Sequence, residues 1–143
     1  MATRATALTG KYAKVALGSN KVLGIASYTM DGFTVDTIET TEFGDFVKHY
    51  EVGLGDGGTV TLTGVYDPTD ANGQQMIVSA CKNYAKLTDL RFYVNTVSYL
   101  VPDVTNESGS CILITKVDNY TFDKAGVAQV SITGKIVGKM ALI

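Results

Sequence analysis

The stretch FTVDTIETTEFGDFVKHYEVGLGDGGTVTLTGVY, residues 33–66, decides the fold. Its two ends, Phe33–Thr41 and Thr59–Tyr66, are rich in Val, Ile, Thr and aromatic residues and read as strands. Thr59, Thr61 and Thr63 alternate with Val60 and Leu62, which gives one apolar face and one face of hydroxyls. Between the two runs, Glu42–Asp56 is too long for a hairpin turn and carries Phe43, Phe46, Tyr50, Val52 and Leu54 among acids and glycines. A long connection without obvious structure is uncommon in a compact domain and usually carries function. The expectation is a loop over 42–56 whose aromatic residues are buried only against a partner.

Outward from this stretch the same alternation returns. Val130, Ile132 and Ile136 interleave with Gln129, Ser131, Thr133 and Lys135, predicting another strand with a core face and a wet face. Lys11–Leu17, Val22–Tyr28, Leu90–Val101 and Cys111–Phe122 are further strand candidates, and Asp103–Ser110 and Asp123–Gly126 read as connections. One helix is expected over about 68–87. Asp67-Pro68-Thr69-Asp70 supplies a cap at Asp67, a proline at the first helical position and an acidic first turn, and Met76, Ile77, Ala80, Cys81, Tyr84 and Leu87 recur at helical spacing. Many strands with one helix between them predict a mainly β (α+β) fold: an antiparallel β-sandwich or barrel with one flanking α-helix. The chain of 143 residues reads as a single domain, 1–143, with a loosely held arm over 1–10.

A hydrophobic fraction of 45% against 18% charged residues predicts a real core. The net charge of −2 hides a strong polarity. Nine of the fourteen acids lie between Asp31 and Asp70, where Lys48 is the only base, so that segment carries −8 and the rest of the chain +6. Opposite patches on one molecule favour head-to-tail association of copies; the plainer account is a solvated acidic loop beside a basic tail. No apolar run reaches the roughly 18 residues that span a bilayer, and the first residues lack the apolar core of a signal peptide. The expectation is a soluble protein with no membrane partner.

The search for chemistry yields little. His49 is the only histidine, and no Ser-His-Asp or Cys-His set stands out. The glycine-rich run 53–58 lacks the order of a phosphate loop, and reads as a hinge and tight turn. Asp67 with Asp70, and Asp36 with Glu39, lack the spacing of a calcium loop. Cys81 and Cys111 read as small buried hydrophobes. The bases are dispersed, so no firm grip on nucleic acid is expected. These observations predict no enzyme, no metal and no cofactor.

Gly32-Phe-Thr-Val-Asp36, then Val52 through Asp70 with Gly73-Gln74, and the closing Ser131-Ile-Thr-Gly-Lys-Ile-Val-Gly-Lys139, together resemble the tail tube protein (major tail protein) family of tailed bacteriophages. The resemblance implies a structural protein of the virion tail, assembled in the host bacterial cytoplasm. Its copies would form hexameric rings that stack into a hollow tube, through which DNA passes at ejection without specific binding. Other expected partners are tape-measure, tail-tip and tail-terminator proteins. The family's four-stranded contribution to a barrel around the lumen falls on Phe33–Thr41, Thr59–Tyr66 and two strands within Cys111–Phe122 and Val127–Val137. Asp36, Glu39, Thr59, Thr61, Thr63, Gln129, Ser131 and Thr133 would then face the lumen, the acids keeping its wall negative. The family's stacking loop falls on residues 42–56, giving Glu42, Phe43, Asp45, Phe46, His49, Tyr50, Val52 and Leu54 as inter-ring contacts. A tube from a phage-tail-like bacteriocin or contractile injection system, and a β-sandwich ligand-binding module, remain the alternatives.

Overall fold

The structure, a computed structural model, describes residues 10–143. The expected arm at 1–10 lies outside them except for Gly10, which opens a 3-10 turn, Gly10–Tyr12. In chain order there follow β1 (Lys14–Leu17), β2 (Asn20–Lys21), β3 (Ile25–Met30), β4 (Thr34–Glu39), β5 (Tyr50–Asp56) and β6 (Thr59–Val65). Helix α1 (Gln74–Lys82) leads into β7 (Lys86–Leu87), β8 (Leu90–Tyr93), β9 (Tyr99–Pro102), β10 (Cys111–Thr121), β11 (Gln129–Val137) and β12 (Met140–Leu142). One sheet has the order β3-β6-β11-β10-β7 and curls into half a barrel; a second has the order β12-β9-β8-β1-β2; β4 and β5 pair only with each other. Neighbouring strands are antiparallel throughout. The mainly β sandwich with one helix is thus the fold observed.

Alternation decides what is buried. Val60 and Leu62 of β6, Ile112 and Ile114 of β10, and Val130, Ile132 and Ile136 of β11 meet Val15, Leu90 and Phe92 of the second sheet, with Ile77 and Ala80 of α1 beside them. Each fully buried Val, Leu, Ile or Phe contributes about 1.5–3 kcal/mol, so this two-sheet layer carries the stability. Gly64 lets β6 approach the start of β3: a Cβ there would stand 2.1 Å from the Gly24 carbonyl oxygen.

The helix is shorter than the expected 68–87. Asp67 is not its cap: Asp67 Oδ1 accepts hydrogen bonds from Thr69 N and Oγ1, closing a turn that holds Pro68 outside the helix. The N-cap position is Gly73, which has no side chain to cap with, and Asp70 ties down the helix start from outside, its Oδ2 accepting from Gln74 N (3.0 Å) and from Leu23 N (2.8 Å). At the other end Tyr84 adopts a left-handed backbone (φ 57°), so the helical period stops before it. Tyr84 is 92% exposed and Met76 half exposed, and the buried stripe is Gln74, Ile77, Val78 and Ala80. The expected strand Leu90–Val101 divides into β8 and β9, because Asn95 Oδ1 accepts from Val97 N and Ser98 N and turns the chain.

Candidate assembly surfaces

The uncovered face of the curled sheet is built by four strands in register. Ser27 of β3 lies opposite Thr63 of β6, Thr63 opposite Ser131 of β11, and Ser131 opposite Asp118 of β10. The next row is Thr29, Thr61, Thr133 and Lys116. Hydroxyls therefore pave this face, with Ser27 Oγ and Thr63 Oγ1 2.7 Å apart and Ser131 buried between its neighbours. Thr59 and Lys135 extend it at one end and Gln129 at the other. Its charges are paired: Lys116 Nζ lies 2.9 Å from Asp118 Oδ2, and Lys135 engages Asp56. Such a surface is wetted but presents no unpaired basic stripe for phosphates to displace counterions from.

Thr59, Thr61, Thr63, Gln129, Ser131 and Thr133 are thus brought onto one sheet, whereas Asp36 and Glu39 are not. Phe33–Thr41, expected among the barrel strands with Thr59–Tyr66, is not in this sheet: Thr34–Glu39 pairs with Tyr50–Asp56, and β3 takes the place beside β6 and supplies Ser27 and Thr29. The alternation of Ser27 and Thr29 with Tyr28 and Met30 was the available signal.

Both edges of this four-strand unit are open. β3 ends the sheet on one side, and on the other β7 covers only Ile112 and Leu113 of the eleven-residue β10. Long unpaired edges are templates for pairing with another chain.

Asp36 and Glu39 lie on a ribbon formed by β4 and β5. Residues 50–56, expected as loop, are strand: Glu39 pairs with Tyr50, Ile38 with Glu51 and Thr37 with Val52, and after an offset Val35 pairs with Gly55. The glycines at 53 and 55 obscure this strand in the sequence, yet each has a packing role. A Cβ at Gly55 would meet the Phe33 ring at 2.4 Å, so the ring lies directly on the ribbon's backbone. Only residues 42–49 form the tip, where Glu42 N donates to Asp45 Oδ2 (2.8 Å), His49 N donates to Thr41 Oγ1 (3.0 Å), and His49 Nε2 stands 4.0 Å from Asp45 Oδ1. Phe43 and Phe46 are fully exposed there (109% and 102%), and Tyr50, Val52 and Leu54 are exposed along β5. At the ribbon's base Asp56 accepts from Lys135 Nζ and from Gly58 N, which holds its carboxyl below the ordinary aspartate range.

Among the described residues no three His, Cys, Asp or Glu side chains are grouped to hold a metal ion. Both cysteines are free thiols, Cys111 buried and Cys81 half-buried.

The fold is similar to that of chains solved in a gene transfer agent particle and in contractile injection systems. A chain in the virion of a native gene transfer agent particle matches with a TM-score of 0.70 at 14% identity, over 96% of this chain and 99% of that one. A chain in the sheath/tube terminator of an extracellular contractile injection system, in its extended state, matches with a TM-score of 0.71 at 12% identity, over 99% of each. A third, in the tube-terminating cap of the anti-feeding prophage, gives 0.68 at 15%, over 100% of this chain and 95% of that one. No protein-family model and no curated protein matches the sequence. At these identities the likeness is one of fold.

Proposed function

We propose that this protein is the structural, non-enzymatic subunit of a tail tube. The observation that carries the reading is the four-strand sheet β3-β6-β11-β10, polar on its free face and unpaired at both edges. Pairing β3 of one copy with β10 of the next satisfies both edges at once, and a ring closes when the rotation returns to the start. The hydroxyl face then lines the channel through Thr59, Thr61, Thr63, Gln129, Ser131 and Thr133, joined by Ser27 and Thr29. A six-membered ring is supported by the fold-mate solved in the tail of an empty gene transfer agent particle, which was refined with C6 symmetry. DNA passes the wall without being held, because its charges are already paired. The ribbon carries the inter-ring contacts of Glu42, Phe43, Asp45, Phe46, His49, Tyr50, Val52 and Leu54, and Asp36 and Glu39 belong with them rather than with the lumen. Tape-measure, tail-tip and terminator proteins are the further partners, in a virion tail assembled in the bacterial cytoplasm.

Negative-stain electron microscopy of concentrated protein tests the reading: hollow rings and stacks are expected, and a chain that stays monomeric at every concentration refutes it. The likeness to chains in terminator and cap structures favours a second reading, a ring that ends a tube. Single rings that never stack identify that case.

A further inference from the structure

The ribbon, residues 34–56, holds six acids and one lysine. Of these acids only Asp56 meets a lysine among the described residues, and Asp45 has only His49 beside it. One ribbon face carries an apolar strip of Val35, Tyr50 and Val52, with Thr37 and Glu39 beside it. Among the described residues neither the charge nor the apolar surface has a counterpart within the subunit.

A counterpart of opposite character lies on the second sheet. Val15, Leu90 and Phe92 enter the core, so Lys14, Ala16, Arg91 and Tyr93 lie on the opposite face, where Ala16 is itself buried and Lys14, Arg91 and Tyr93 are half-buried. Register places Lys14, Tyr93 and Tyr99 in one row, and Lys21, Ala16 and Arg91 in the next. Lys14 Nζ lies 4.4 Å from the Tyr93 ring centroid, the Arg91 guanidinium 4.7 Å from that of Tyr99, and the two rings are 5.0 Å apart. Asp89 engages Arg91 at 3.1 Å from one side. These cation–π pairs hold long side chains in place before any partner arrives, lowering the entropy cost of docking. Arg and Tyr are also the residue types that dominate binding energy at interfaces.

We propose that this Lys14–Lys21–Arg91–Tyr93–Tyr99 platform is the docking site for the acidic β4–β5 ribbon of a second copy, and that this contact stacks one ring on the next. The inference rests on the tube reading. A second copy is the occupant because the chain itself carries the matching surface, acids around an apolar aromatic strip. The two patches differ and lie on different sheets, so the contact is heterologous: it leaves a ribbon and a platform free at each step and repeats without closing.

The test uses the full chain in three forms: platform reversed (Lys14→Glu with Arg91→Glu), ribbon reversed (Glu39→Lys with Glu42→Lys), and both together. Electron microscopy and sedimentation read rings and stacks, and thermal melting reads the fold. Each single reversal is expected to keep rings and to raise the concentration needed for stacking by about tenfold or more, while the combined form recovers stacks. A neutral platform, Lys14→Gln with Arg91→Gln, gives a smaller rise in the same direction and covers the case in which the reversed platform fails to fold. Stacks at wild-type concentration in the reversed or neutral platform overturn the inference, as does a folded combined form that does not recover. So does a platform that binds a duplex oligonucleotide while its reversal leaves stacking untouched. Wild-type rings that never stack overturn this inference alone; absence of wild-type rings refutes the tube reading itself.

Discussion

Replacing Phe43 and Phe46 together by serine removes two rings that are fully exposed, at 109% and 102%, without adding charge to the ribbon tip. Subunit stability should therefore change by no more than about 0.5 kcal/mol, the scale for surface substitutions remote from packed features. That corresponds to less than about 2 °C in melting temperature for a domain of this size. Assembly is a different matter. A fully buried Phe is worth about 1.5–3 kcal/mol, so two give about 3–6 kcal/mol per subunit, reduced by the entropy of ordering the tip. At 1.4 kcal/mol per tenfold, the loss is on the order of a hundredfold per contact, and every subunit in the ring suffers it. Melting curves with electron micrographs at matched concentration check both halves: an unchanged midpoint, rings present and stacks gone. Stacks at the wild-type concentration refute the reasoning. A midpoint lowered by more than about 5 °C refutes it from the other side, since the rings would then be packed within the subunit.

Two further outcomes follow from the hydrogen bonding. Gln74 is fully buried, donating from Nε2 to the Leu23 and Val65 carbonyls and accepting from Asp67 N at Oε1. Each buried polar group left unpaired costs about 1–3 kcal/mol, so Gln74→Ala should lose about 3–5 kcal/mol in urea unfolding once entering water has offset part of the sum; a loss under about 1 kcal/mol counts against this. Asp56, held below its ordinary range by Lys135 and then by Gly58 N, contributes a tie present above the unfolded aspartate value and lost as the pH falls through its lower folded value. Acid titration followed by the Asp56 carboxyl chemical shift should show it protonating below the ordinary aspartate range, and Lys135→Met should raise it part of the way back, the Gly58 N–H bond remaining.

The strands that carry strict alternation were legible. In β6 and β11 the residues Val60, Leu62, Val130 and Ile132 sit two apart because one face is core, and the threonines between them declare the other face. The missing element was the partner of β6. Which strand lies beside Thr59–Val65 depends on contacts between distant residues, and the apolar runs of β3 and Phe33–Thr41 look alike to a local reading. The ribbon was half hidden for another reason: Gly53 and Gly55 interrupt the pattern of β5, though Gly55 is where the Phe33 ring rests. The helix was misplaced by a turn that uses the same vocabulary as a cap, an Asp followed by Pro, while the residue that ties down the helix start, Asp70, is identified only by its bonds to Leu23 and Gln74. The residues of the polar sheet face were legible as far as alternation reached, and Ser27 and Thr29 were lost with their strand.

Strand β7, only two residues long, occupies Ile112 and Leu113 at the start of β10 and leaves the rest of that edge bare. In a ring of the proposed kind it acts as a doorstop. An incoming β3 can slide along β10 only until it meets Lys86–Leu87, so the offset between one copy and the next is set by where β7 sits. In such a ring that offset, summed around it, would fix the tilt of the strands and with it the bore of the proposed channel. A two-residue strand at the margin of the fold would thus gauge the width of everything that passes through the middle.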